Sequence, residues 1–154
     1  MIEDKFYLTK QGLEKIKKEY KNLLLLKQEK IHNETPVAFH SEELDTEFVS
    51  FKEELELLDA RIADSEYILN NYEIIEPPAQ GQQKVVLIGA TVELDVNGQK
   101  DEFSIVGTLE ADPNLGKISN ESPVGKALIG KKEGETAVVN STTKTVYKIL
   151  KVKY

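Results

Sequence analysis

Between Leu44 and Leu69 the apolar residues keep a fixed stride: Leu44, Phe48, Phe51, Leu55, Leu58, Ile62 and Leu69, with Ser65 filling one gap, spaced 4, 3, 4, 3, 4, 3, 4. A seam held for more than three heptads is the pattern of a coiled coil, so the spacing predicts one long helix over the 33 residues from Glu42 to Ile74. At ~1.5 Å per residue such a helix is about 50 Å long. Upstream, Leu13, Ile16, Tyr20 and Leu23 form a second helical stripe, although the run Leu23-Leu24-Leu25-Leu26 lets that stripe shift phase. Thr35-Pro36 interrupts it. A short loop, Val37 to His40, follows, and Ser41 with Glu42 and Glu43 reads as a helix cap with acids on the first turn. Two amphipathic helices separated by so short a break are expected to lie antiparallel.

Beyond Glu76 the period changes. The stretch Pro77-Pro78-Ala79-Gln80-Gly81-Gln82-Gln83 reads as a linker, and eight of the nine glycines lie after Pro78. Alternating or β-branched positions predict strands at Val85–Ile88, Ala90–Val96, Glu102–Gly107, Thr136–Val139 and Thr145–Val152, with Asp95-Val96-Asn97-Gly98 as a hairpin turn. Ser122-Pro123-Val124 opens a short helix with a cap and a first-turn proline, and Gly130 stops it. The expected organisation is α+β: a helical hairpin over residues 1–76, a linker at 77–83 and a small α+β domain over 84–154.

Composition narrows the chemistry. The chain has no cysteine and two histidines among its 154 residues, which excludes a disulfide framework, a thiol nucleophile and a multi-histidine metal site. The longest uninterrupted apolar run within the seam helices is those four leucines, and the start of the chain carries no signal-peptide pattern, so a cytoplasmic protein with no membrane span is expected. Charge is distributed by segment: +4 over Thr9–Asn33, −10 over Glu42–Glu76 and +1 over Pro77–Tyr154, within a net −7. A net negative chain does not bind nucleic acid through its overall charge. The basic and acidic segments suit pairing within one hairpin, and because the seam then finds its partner internally, a monomer is expected.

Several motifs, taken in order, resemble the Gre family of bacterial transcript cleavage factors. They are Leu8-Thr9-Lys10-Gln11-Gly12-Leu13, Glu47-Phe48 and Arg61-Ile62 in the first half. The second half contributes Ile88-Gly89-Ala90-Thr91-Val92, Ile105-Val106-Gly107, Glu110-Ala111-Asp112-Pro113, Gly116-Lys117-Ile118-Ser119 and the run Ser122 to Lys132. The resemblance implies a hairpin followed by an FKBP-like domain without isomerase activity. It further implies that the second domain docks at the rim of the secondary channel of bacterial RNA polymerase while the hairpin enters it. Acids at the hairpin tip would help hold the polymerase's own magnesium and the attacking water, so that backtracked RNA is cut near its 3′ end and the chain needs no cofactor of its own. Glu42, Glu43, Asp45 and Glu47 are the candidate tip acids, with His40 and Ser41 in the tip loop, and Asp112, Pro113, Ser122, Pro123 and Lys126 are the candidate docking residues. Hard divalent cations prefer carboxylate oxygens, and a second metal stabilises the attacking and leaving oxygens of phosphoryl transfer.

The tip departs from the family pattern Gly-Asp-Leu-x-Glu-Asn-x-Glu-Tyr: aligning its last pair on Glu47-Phe48 puts Ser41 and Leu44 where the two acids belong. Three readings follow. The displaced acids Glu42, Glu43 and Asp45 support cleavage; or the hairpin occupies the channel and inhibits or modulates the polymerase; or the acids are a solvated helix start. A free-standing prolyl isomerase is disfavoured, because the second half offers only Phe103, Tyr147 and Tyr154 to line an aromatic pocket. Lys117, Lys126, Lys131 and Lys132 form either a partner-facing patch or part of an ordinary mixed surface.

Overall fold

The computed structural model describes residues 4–34 and 46–154. These fall into two compact units, one spanning Leu13–Asn71 and the other combining Met1–Gly12 with Tyr72–Tyr154.

The helical unit is carried by α1 (Lys10–Glu34) and α2 (Thr46–Asn70). Side-chain pairs between them run in opposite directions along the chain: Arg61 with Glu19, Tyr20 with Glu66, Lys27 with Asp59 and Lys30 with Glu54. The hairpin is therefore antiparallel, as the heptads predict. On α2 the stripe Phe51, Leu55, Leu58, Ile62, Ser65 and Leu69 is buried or half-buried, with Ile62 and Ser65 the most enclosed. Phe48 departs from the expected seam and is half exposed. Past Leu23 the α1 side of the seam continues through Lys27 and Lys30.

Helix α2 stops at Asn70 rather than Ile74, and its described span, Thr46–Asn70, is 25 residues or about 38 Å. The chain turns extended at Tyr72–Ile74 (β2) because that segment pairs in parallel with Phe6–Leu8 (β1). Leu8 is fully buried, and its carbonyl also accepts from the Ile75 amide at 2.8 Å. The expected domain limits at residues 76 and 84 give way to this pairing, which takes both ends of the helical region into the second unit.

A five-stranded sheet in the order β5-β4-β3-β7-β6 forms the body of that unit. Its strands are β3 (Thr91–Val96), β4 (Gln99–Val106), β5 (Lys117–Ser119), β6 (Thr136–Asn140) and β7 (Lys144–Lys153). All neighbours are antiparallel except β4 with β5. Asn97 and Gly98 join β3 to β4 with φ of 54° and 84°, the paired left-handed conformations that a two-residue hairpin turn requires. The expected strand at Val85–Ile88 is absent: Val85 makes an isolated bridge to Lys132, and this segment instead winds toward a turn at Gly89. Tyr154 holds it, its hydroxyl donating to the Val85 carbonyl and accepting from the Leu87 amide. Burial raises the Tyr154 hydroxyl pKa.

Strand β5 was not anticipated, being only three residues long and parallel to β4. Short helix α3 (Pro123–Leu128) follows it, starting and ending where its cap and Gly130 predict. Leu128 from α3 joins Val86, Val92, Leu94, Ile105 and Ile149 in a fully buried core. At ~25 cal/mol per Å² of apolar surface removed from water, this cluster is the main source of the unit's stability.

Candidate partner-binding surfaces

The predicted site residues separate into two groups. His40, Ser41, Glu42, Glu43 and Asp45 lie outside the described residues. Glu47 is described: it stands exposed on the first turn of α2, where the helix dipole favours an acid. Among the described residues, no cluster of three or more Asp, Glu, His or Cys side chains is placed to hold a metal ion.

In the sheet unit, Asp112 and Pro113 precede β5 and Ser122 and Pro123 follow it. Each pair starts a helical turn. The Asp112 carboxylate accepts from the Asn114 amide at 3.0 Å, Pro113 takes the first position of a 3-10 turn, and the Asp112 and Lys117 backbones exchange two hydrogen bonds. The Ser122 hydroxyl accepts from the Gly125 amide at 3.0 Å and donates to the Ser119 carbonyl at 2.7 Å. A Cβ on Gly125 would lie 2.0 Å from that same carbonyl, so the end of β5 and the start of α3 form one close-packed junction that admits only glycine. Lys126 is exposed on α3. Four of the five residues thus have a clear local role in shaping the backbone, and Lys126 is left to face solvent or a partner.

A cleft of about 430 Å³ lies beside this junction. Phe6, Tyr7 and Leu109 give it an apolar floor, and Lys5, Thr108 and Glu121 contribute polar groups. Leu109 is 47% exposed although it is a large aliphatic side chain. Thr108 shares a hydrogen bond with Ser119 at 2.9 Å and donates to the Glu121 carboxylate at 3.0 Å, while the Glu121 amide donates to the Ser119 hydroxyl. These bonds fix the wall that leads into Ser122. An apolar floor with a fixed polar rim suits recognition of a protein segment.

Sequence reasoning placed Gly107 in a motif but assigned none of the cleft's residues to a site. Residues 4–7 reach residues 107–121 only through the fold, and the anchor is Glu110. Its carboxylate accepts from the Thr9 amide at 2.7 Å and from the Thr9 hydroxyl at 2.6 Å, while that hydroxyl accepts from the Gly12 amide. Two glycines were the available signal. A Cβ on Gly12 would lie 2.4 Å from the Glu110 carboxyl carbon, and one on Gly107 would lie 2.0 Å from the Tyr7 carbonyl oxygen.

Residues 81–154 match the family described as "Transcription elongation factor, GreA/GreB, C-term". Over 148 residues, 95% of this chain and 95% of the relative, the sequence is 32% identical to transcription elongation factor GreA of Thermomicrobium roseum. The chain belongs to the GreA/GreB family. GreA of Clostridium acetobutylicum is 38% identical over 156 residues, 98% of both chains. A crystal structure of GreA factor homolog 1 from Thermus thermophilus aligns with 97% of this chain and 99% of its own at 26% identity, with a TM-score of 0.43. The GreA/GreB C-terminal match takes in the whole five-stranded sheet, α3 and all five candidate docking residues. The two GreA relatives extend the likeness through the hairpin.

Proposed function

We propose that this chain is a transcription elongation factor that binds bacterial RNA polymerase at its secondary channel and stimulates cleavage of backtracked RNA. Its membership of the GreA/GreB family over nearly its full length carries the reading. The sheet unit would dock through the cleft floored by Phe6, Tyr7 and Leu109 and through the adjoining Ser122, Pro123 and Lys126, with Asp112 and Pro113 shaping the other end of β5. The hairpin would bring Glu42, Glu43, Asp45 and Glu47 to the nascent RNA 3′ end, where carboxylates help hold the polymerase's magnesium and orient water. The polymerase does the cutting; this chain supplies ligands and position. A working monomer agrees with the seam, whose residues Leu23 and Ile62 are buried within a single chain.

Backtracked elongation complexes test this directly. Adding the protein should release short 3′ RNA fragments. Replacing Glu42, Glu43 and Asp45 together with alanine should leave polymerase binding intact and lower cleavage by orders of magnitude. Full activity with unchanged magnesium dependence would sink the role given to the tip acids. Leu109→Lys should instead weaken polymerase binding about tenfold or more, as expected for a charge placed in an apolar contact.

A further inference from the structure

The run Leu23-Leu24-Leu25-Leu26 gives α1 a choice of face. One stripe continues from Tyr20 through Leu23, Lys27 and Lys30; the other continues through Leu24, Gln28 and Ile31. Burial of apolar surface alone favours the second, which would enclose two large aliphatic side chains and no charge. The protein adopts the first. Leu23 is 2% exposed, whereas Leu24 and Ile31 are 41% and 45% exposed. The Lys30 side chain is only 13% exposed and that of Lys27 35%, an unusual degree of enclosure for lysine.

What reverses the hydrophobic preference lies on α2. Lys27 pairs with Asp59 and Lys30 with Glu54, and the Lys30 ammonium also sits 5.7 Å from the Phe51 ring centroid, within cation–π range. A charged group enclosed at a seam position tolerates one arrangement, in which its partner meets it, whereas leucines tolerate several. Each residue step around a helix is about 100°, so exchanging Leu23 for Leu24 in the seam would turn the far half of α1 by that much.

We propose that Lys27 and Lys30, through Asp59 and Glu54, select the phase in which α1 meets α2 and so act as positioning residues for the tip of the hairpin. This rests on the reading that the tip works inside the polymerase channel. Lys30 stands four residues before the end of α1 and Glu54 eight residues into α2, so this pair is close to the described ends of both helices.

The chain contains no cysteine, so one introduced thiol reports without background. Gln28 is exposed in the observed phase and enters the seam in the other. In the full-length protein, Gln28→Cys should react rapidly with a thiol reagent. Adding Lys27→Met and Lys30→Met should slow that reaction at least tenfold without lowering helix content. The same double methionine variant without the cysteine should bind polymerase as before but stimulate transcript cleavage at least tenfold less. Exchanging the charges, with Lys27→Glu and Lys30→Glu together with Glu54→Lys and Asp59→Lys, should restore both thiol reactivity and cleavage. Unchanged thiol reactivity in the methionine variant overturns phase selection. A slowed thiol with full cleavage overturns the positioning role. Should the parent chain itself fail to stimulate cleavage, the functional reading fails while the thiol rates still decide the phase.

Discussion

The hairpin and the sheet unit solve the same problem in opposite ways. In the helical unit Leu13, Leu23, Ile62 and Ser65 are the buried side chains among the described residues, and the rest of the seam is half open. Its helices are aligned by cross-helix pairs such as Arg61 with Glu19 and Lys30 with Glu54. The sheet unit encloses a continuous cluster from α3 and four strands and uses polar bonds mainly to shape its turns. A two-helix layer has too little interior to be specified by packing, so charge placement decides its geometry. A sheet covered by a helix has enough interior that packing decides and charges remain secondary.

The largest expected effect tests that contrast by truncation. Ile149→Ala, at a fully buried site, should cost ~2–5 kcal/mol. Leu58→Ala, at a half-buried seam site, should cost only ~1–2 kcal/mol. Urea unfolding followed by circular dichroism measures both, and equal costs would mean that the seam is packed as tightly as the sheet.

A second substitution probes how β1 packs within the sheet unit. Gly107→Ala places a Cβ 2.0 Å from the Tyr7 carbonyl, so β1 must shift, at an expected cost of ~1–3 kcal/mol. Hydrogen exchange should show lost protection at Phe6–Leu8. Gly81→Ala, with no atom within 4 Å of its Cβ, is the matched control and should change nothing.

The smallest effect is electrostatic and lies on the sheet surface. Lys153, bonded to Glu93, lowers the Glu93 pKa, and Glu93 in turn raises that of Lys153. A lowered carboxyl pKa stabilises the fold above its unfolded value, ~4.3 for Glu, and that contribution is lost as pH falls through the lower folded value. The raised lysine behaves oppositely: its contribution is present below ~10.4 and disappears as pH rises through the higher folded value. Glu93→Gln should therefore flatten the acid limb of stability against pH below about pH 4. Added salt should shrink the difference, because the pair is exposed.

Local pattern made much of this architecture legible in advance. The α2 heptads, the Asn97-Gly98 turn, the capped start of α3 at Ser122-Pro123 and four strands were all readable, because each is encoded by residues within a few positions of one another. The long motifs from Ile88 to Lys132 made the family legible as well. The cleft was not readable. It depends on β1 meeting residues 107–121 and on Glu110 reaching back to Thr9, contacts that leave no periodic mark on either segment.

The sequence by itself determined that an antiparallel helical hairpin precedes a small sheet domain of the GreA/GreB family, since spacing, turn residues and motif order suffice for that. Only the tertiary structure decided where the units divide and which face of α1 enters the seam. The parallel pairing of Phe6–Leu8 with Tyr72–Ile74 joins strands 66 residues apart, and three residues carry too short a pattern to announce it. After four leucines in a row, apolar burial alone points to the phase that the protein does not adopt. The choice fell to acids on the other helix, whose positions matter only once the chain has folded back on itself.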